Sequence, residues 1–400
     1  VLNEENDRYS VMREEIGGTV VDDEFFEGDH KSRQTAAPWL DTEAARKRND
    51  LFEQALAVQK AFIDAAAKPI RHNLSVLLDG FGTSSLGSPE KDALIPDLWS
   101  TLFLIVPVVS TTFASVSRMF GRIGPEEFGW LLIDEAGQAL PQAAVGALMR
   151  TKRAVVVGDP IQIEPVVVLP DSLTEAISKR FGIDPLIYNA PNGSAQTLAD
   201  TATAYFGTFE TQYGTRNVGV PLLVHRRCSE PMFSISNRVA YENLMVQAKP
   251  ERPSTIRDVL GPSRWIDVTG SVQEKWCPEE GDTVIDLLST LRNAGCQPDL
   301  YIVTPFVIVQ NKLREKIRAS GLLTEWVDKP ESWVYEHVGT VHTVQGREAE
   351  AVIFVLGAQK QEQRGARGWA GGRPNLLNVA TTRAKEAIYV VGNANLWKNA

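Results

Sequence analysis

The chain reads as an α/β protein built on parallel sheets, and two observations carry that reading. Short apolar runs end in acids: Leu131–Ile133 before Asp134 and Glu135, and Ala154–Val157 before Gly158 and Asp159. Open α/β sheets present ligand-binding groups at such strand ends. The second observation is spacing. About 25 residues separate Asp134 from Asp159, room for one helical crossover between parallel neighbours, and Gln138–Arg150 has the pattern of that helix. The later half repeats the style, with strand-like runs at Pro221–Val224, Leu300–Val303, Ala351–Val355 and Ala387–Val391.

Taken in order, residues 1–41 read as an irregular insertion or remnant, acidic from Asp22 to Asp29 and broken by Phe25-Phe26. From Thr42 to about Leu78, Leu51, Phe52, Leu56, Val58, Phe62 and Ile63 recur at helical spacing and predict one long amphipathic helix. Gly80–Pro89 is rich in turn residues. Leu102–Val109 is a continuous apolar run interrupted by Pro107 and followed by Ser110-Thr111-Thr112, read as another strand. Gln363–Arg373 is rich in glycine and arginine and reads as a mobile loop. Domain limits are expected near 42–218 and 219–400.

Composition is that of a globular protein, 43% hydrophobic and 23% charged, with no apolar run long enough to span a membrane. The formal charge of −9 argues against a protein that coats nucleic acid, but leaves room for a local basic groove. Cys228, Cys277 and Cys296 show no paired spacing for zinc or a disulfide framework, and the acidic start shows no secretory pattern, so a reducing cytoplasm is expected. A start at Val1 predicts a fragment or a processed product.

Two adjacent carboxylates at a strand end suit metal-assisted phosphoryl transfer, one acid holding Mg²⁺ and the other orienting water. Gln162, just after the second strand end, can donate and accept at once and so sense a phosphate or that water; it can equally be a polar turn residue.

These residues add up to a family. Leu131–Gln138 and Gly158-Asp159-Pro160-Ile161-Gln162 resemble motifs II and III of superfamily 1 helicases, in the form of the type B branch that contains the nonsense-mediated-decay RNA helicase. Further matches follow in order: Val109–Thr112; Arg226 ahead of Ser236-Asn237; Val303–Phe306 with Gln310; Val341–Glu348, similar to motif V; and Asn378–Lys385, similar to motif VI with its arginine finger. The resemblance covers roughly residues 100–400. It implies two tandem RecA-like domains, the first incomplete at its N-terminus, hydrolysing ATP with Mg²⁺ at their cleft and moving 5′ to 3′ on single-stranded DNA or RNA. It makes Glu135, Gln162, Arg226 and Arg383 catalytic and puts Asp134 on Mg²⁺. Asp159, Gly346 and Glu348 fall on the nucleotide. Thr111, Thr112, Thr304, Pro305, Phe306, His342 and Thr343 fall on the nucleic acid. Arg227 competes with Arg226 for the γ-phosphate, Phe306 can stack a base or fill the core, and His342 can pack or bind.

One part is absent. The phosphate-cradling loop GxxxxGK[ST] does not occur; Gly82–Pro89 has the glycine spacing, but Ser88 stands where lysine is required and Pro89 lacks an N–H. It is read as a loop, and the lysine loop is expected on an upstream segment of the same protein. The rival to a motor is a helicase-derived binding or scaffold module without catalysis.

Overall fold

The computed structural model describes residues 5, 7, 8, 11, 19–81, 83, 85–159, 161–167, 169–184, 188–190, 193–211, 214–250, 252–344, 346–372 and 374–398. It is α/β with parallel sheets, as the sequence predicts, and divides into two compact units: Val1–Gly158 with Val167–Ala202, and Asp159–Val166 with Thr203–Ala400. Among the described residues, no helix is long and apolar enough to cross a membrane.

In the first unit, β1 (Phe128–Ile133) and β2 (Thr151–Val156) pair in parallel, joined through the helix Pro141–Met149. Their inner face meets Phe113, Ala144 and Ala195, with Ile133 buried. A second cluster gathers around Trp99, whose ring lies 4.9 Å from Phe120; Phe120 in turn lies 5.1 Å from Phe128. The run Leu102–Val109 is not a strand. It is the end of a helix, Ile95–Phe103, followed by irregular chain. Ile95, Leu98 and Trp99 are its buried side, an i, i+3, i+4 pattern that extends the helix into the apolar run.

The long helix also differs from expectation. It is two helices, Thr42–Ala65 and Ala67–Asp79, the first capped by Asp41 Oδ2, which accepts from Ala44 N at 2.7 Å. Pro69 explains the break, since it has no N–H to give to the carbonyl of Ala65. The apolar stripe of the first helix is uncovered: Leu51, Phe52, Val58 and Phe62 are exposed. Upstream, Asp23–Glu27 and His30–Thr35 form short helices, capped by Asp22 and Asp29, where irregular chain is expected. In the lookalike loop Gly82 and Ser84 lie outside the described residues; Asp92 accepts from Leu86 N (2.6 Å) and Ser85 Oγ (2.7 Å).

The second unit holds a hairpin of β3 (Gly207–Thr211) and β4 (Gly214–Val218) and a two-residue parallel pair, β5 (Val224–His225) with β6 (Val246–Gln247). Its main sheet is parallel throughout, in the order β7 (Arg264–Asp267), β11 (Ala384–Gly392), β10 (Ala349–Val355), β8 (Leu300–Thr304), β9 (Val338–Thr340). Strands buried on both faces read as continuous apolar runs, which is why β8, β10 and β11 stand out in the sequence. The Gly-Arg segment is ordered: a 3-10 turn, Gln361–Gln363, leads into the helix Arg364–Gly371. Arg367 holds it, buried, its Nη1 donating to the carbonyls of Ala358 and Lys360, each at 2.6 Å. Arg373 lies outside the described residues.

Candidate functional site

In the first unit the acids sit where β1 ends. Asp134 is exposed, and its Oδ1 accepts from Glu135 N at 2.9 Å. Glu135 has left-handed backbone (φ 53°, ψ 37°), and Gln138 Nε2 donates to its carboxylate at 3.0 Å. The turn can be this tight because Gly158 follows β2: a Cβ there would stand 2.6 Å from Gly137 N. Ala136 N donates to Val157 O at 2.9 Å, so the turn is tied to the end of β2. Thr111 and Thr112 are exposed just ahead of the helix Phe113–Phe120, where Thr112 Oγ1 meets Ser115 Oγ at 3.4 Å.

The second unit gathers a partly buried polar centre. Asp159 accepts through Oδ1 from Ile161 N (2.9 Å) and through Oδ2 from Gln162 Nε2 (3.0 Å). Tyr241 Oη donates to that same Oδ2. Burial, and then the Asp159 charge, holds the Tyr241 phenol well above its ordinary pKa. Asn378 Nδ2 reaches Tyr241 Oη at 2.9 Å and Ile161 O at 3.2 Å, while Asn375 donates to Gln162 O. Arg383 is 1% exposed. Its Nη1 donates to Arg347 O at 3.1 Å, and its Nη2 lies 3.5 Å from Gln162 Oε1, a long contact.

A second cluster surrounds Arg226 and Arg227. Arg227 Nε pairs with Glu348 at 2.8 Å, and Lys385 Nζ takes the other carboxylate oxygen at 2.7 Å. The Lys385 hydrogen bond is the first cause that keeps Glu348 below the usual carboxylate range. Arg226 is exposed, while Arg227 is half-buried and paired with Glu348. His225 Nε2 accepts from Cys228 N at 2.9 Å and closes the turn that carries both. Burial, with Arg227 and Lys249 adding to it, depresses His225 to about 4, so the ring is a neutral acceptor. Behind the turn Lys249 and Glu386 form a buried pair, 3% and 5% exposed, joined by Ser229, whose Oγ donates to Glu386 at 2.7 Å. Lys249 Nζ also donates to Lys385 O at 2.8 Å, which ties the turn to β11.

The residues expected on nucleic acid fare unequally. Thr304, Pro305 and Phe306 are buried. β8 lies between β9 and β10, so both its edges are paired, and every residue from Leu300 to Thr304 is buried. Thr304 Oγ1 accepts from Phe306 N (3.4 Å), and the Phe306 ring lies in the core with Lys275 Nζ 4.8 Å from its centroid. His342 and Thr343 are exposed, with Thr343 Oγ1 donating to Thr340 O at 2.9 Å and partial desolvation lowering the His342 pKa. Gly346 is exposed with φ +73°, a left-handed position suited to glycine. Sequence reasoning misses Tyr241, His225, Lys249 and Glu386, because no local pattern marks a tyrosine that reaches 82 residues back to Asp159.

Residues 205–395 and 99–169 match two family models, each described as an AAA domain. The DNA replication ATP-dependent helicase/nuclease DNA2 of Gallus gallus is 26% identical over 294 residues, 72% of this chain and 25% of that protein. The Regulator of nonsense transcripts 1 homolog of Drosophila melanogaster is 25% identical over 284 residues, 68% of this chain and 21% of that protein. The chain thus spans about a quarter of the length of these curated relatives. Among solved structures, that of the PRRSV helicase is 13% identical with a TM-score of 0.32, covering 68% of this chain and 37% of that one. The motifs run in the same order as the two matched segments, and the chain belongs with the superfamily 1 helicases, resembling the branch of the DNA2 helicase/nucleases and the regulators of nonsense transcripts.

Proposed function

We propose that this chain is the motor core of an ATP-dependent helicase or translocase that moves 5′ to 3′ on single-stranded nucleic acid, with domain limits near 42–218 and 219–400. The observation that supports the reading is that the half-buried Gln162 lies 3.5 Å from the buried Arg383, 221 positions apart in sequence, in one polar centre. A packing role alone gives no reason to gather a buried guanidinium, an amide and a carboxylate, since buried charge is costly unless it is paired.

Among the described residues no group of three His, Cys, Asp or Glu side chains gathers to cage a metal. One exposed Asp134 beside Glu135 fits Mg²⁺, which keeps several waters and takes its other ligands from substrate phosphates. When bound with ATP, Mg²⁺ neutralises charge on the phosphates. Asp134 holds it, and Glu135 orients the attacking water and takes its proton. Arg226 and Arg383 meet the γ-phosphoryl oxygens with planar, permanently charged forks, and Gln162 aligns the water between donor and acceptor roles. Asp159, Gly346 and Glu348 border the nucleotide. The β-phosphate is cradled by a segment of the same protein outside residues 1–400. Thr111, Thr112, His342 and Thr343 take the nucleic-acid backbone, and the three free, buried cysteines suit a reducing compartment such as the cytoplasm.

The test is Glu135→Gln in the whole protein, with ATP turnover measured under saturating single strand. Turnover is expected to fall by about 10²–10⁴ while ATP still binds, because the amide keeps the shape and loses the base. Turnover within about tenfold of the parent would overturn the reading.

A further inference from the structure

The hydrogen bonds around Tyr241 have a direction that the structure fixes from end to end. Ser236 Oγ donates to Asn378 Oδ1 at 2.6 Å, which leaves Asn378 Nδ2 as a donor to Ile161 O and Tyr241 Oη. A phenol that already accepts has one proton to give, and Tyr241 gives it to Asp159 Oδ2. The same oxygen accepts from Gln162 Nε2 at 3.0 Å. The amide of Gln162 is thereby turned so that its oxygen, not its nitrogen, faces Arg383. Ser236 and Asn378 are buried, so solvent offers no substitute partner at that end of the line.

We propose that Tyr241 is a positioning residue for nucleotide hydrolysis: it anchors the Asp159 carboxylate that sets which end of the Gln162 amide meets Arg383. This rests on the reading of Gln162 and Arg383 as residues of the γ-phosphate. The two ends of an amide have nearly the same shape and opposite hydrogen-bonding character, so packing does not choose between them. The choice is made by Asp159, which accepts from the amide nitrogen at 3.0 Å, and is reinforced across a longer contact by Arg383, which only donates. Remove the phenol hydroxyl, and Asp159 keeps Ile161 N on one oxygen, but on the other it is left with only Gln162 Nε2, the group whose sense it sets. The carboxylate is then held less firmly, and with it the sense of the amide.

The experiment is Tyr241→Phe in the whole protein, which deletes one oxygen and keeps the ring. Expected is a fall in kcat of about tenfold, the scale of one lost hydrogen bond to a charged group, with KM for ATP within about twofold. Asp159→Asn should cost a similar factor, and the double variant little more, because both act on one unit. Unchanged kcat, a loss mirrored by a rise in KM, or additive losses would each overturn the proposal. A readout that does not need turnover separates this from the wider functional reading. In the parent, the Gln162 side-chain amide protons should exchange slowly by NMR, and in Tyr241→Phe rapidly; equal protection in both overturns the inference whether or not ATP is hydrolysed. If Tyr241→Phe does not fold, Asp159→Asn carries both readouts, with the same outcomes deciding.

Discussion

In the second unit β10 and its neighbours bury nearly everything they carry: Val352, Ile353 and Val355 of β10 and Ala387 and Val391 of β11 have no more than trace exposure. In the first unit β1 is just as apolar in sequence, and β2 ends in Ala154-Val155-Val156 after Thr151-Lys152-Arg153, yet Trp130 is 61%, Leu132 66% and Val155 42% exposed. One face of the two-stranded sheet packs on helices through Leu131 and Ile133, and the other has no layer over it among the described residues. The lesson is that a strand's own residues announce that it is a strand, while burial depends on what covers it. Continuous apolar runs presuppose two covered faces, and β1 carries the residues for two while packing on one.

The comparison can be broken first at the charges. Glu386→Ala in the second unit leaves Lys249 buried without its counter-charge, and should cost about 3–5 kcal/mol. In the first unit, Asp64→Ala dissolves the exposed Lys60–Asp64 pair and should change nothing measurable. Hydrogen exchange resolved by segment reads the two units separately; equal protection in β11 before and after Glu386→Ala would show that the pair is dispensable.

A smaller effect is expected from the strands themselves. Ile353→Ala should cost about 2–5 kcal/mol through lost burial and the cavity left behind. Leu132→Ala should stay within about 0.5 kcal/mol, as exposed substitutions do. Matching losses, by denaturant titration of each variant, would mean that the outer face of β1 is covered in solution and that the contrast is false.

The smallest effect is a pair of opposed pH slopes inside the second unit. His225 is depressed from its ordinary 6.5 to about 4, so the unfolded chain takes the proton first; its contribution is full above 6.5 and lost as pH falls toward 4. Glu280 is buried and raised from 4.5 to about 7, its oxygens accepting from Gly357 N (2.9 Å) and Gln359 Nε2 (2.6 Å). Here the fold keeps the proton longer, so the contribution is full below 4.5 and lost as pH rises through 7. Glu280→Gln should remove the alkaline slope and leave the acid one, with His225→Gln doing the reverse. Melting curves between pH 4 and 8 showing the same slopes in all three proteins would assign the titration elsewhere.

What the sequence made legible follows the same physics. β8, β10 and β11 are readable because strands in a covered parallel sheet have no polar alternation to obscure them. The acid pair at Asp134 and Glu135 is readable because chemistry at a strand end is local. The run at Leu102 misleads because an apolar segment does not say whether its period is two or 3.6 when it is short. Phe306 reads from sequence as either a base-stacking or a core ring, and its place in the core is set by what lies above the sheet, here Trp369 and Trp397. Tyr241 is invisible for the opposite reason: its partners Asp159 and Asn378 are assembled only by folding.

Arg367 leaves an odd mark on the map of protease-sensitive bonds. Two arginines lie three positions apart on the helix Arg364–Gly371; Arg364 is exposed, and Arg367 is enclosed among carbonyl oxygens of the turn before it. Trypsin requires the arginine side chain to enter its own pocket, so a cut after Arg367 first demands that three carbonyls release it. A glycine-rich stretch that looks like an obvious nicking point is therefore guarded by the very residue type the protease seeks, and its cleavage pattern reports the opening of that turn.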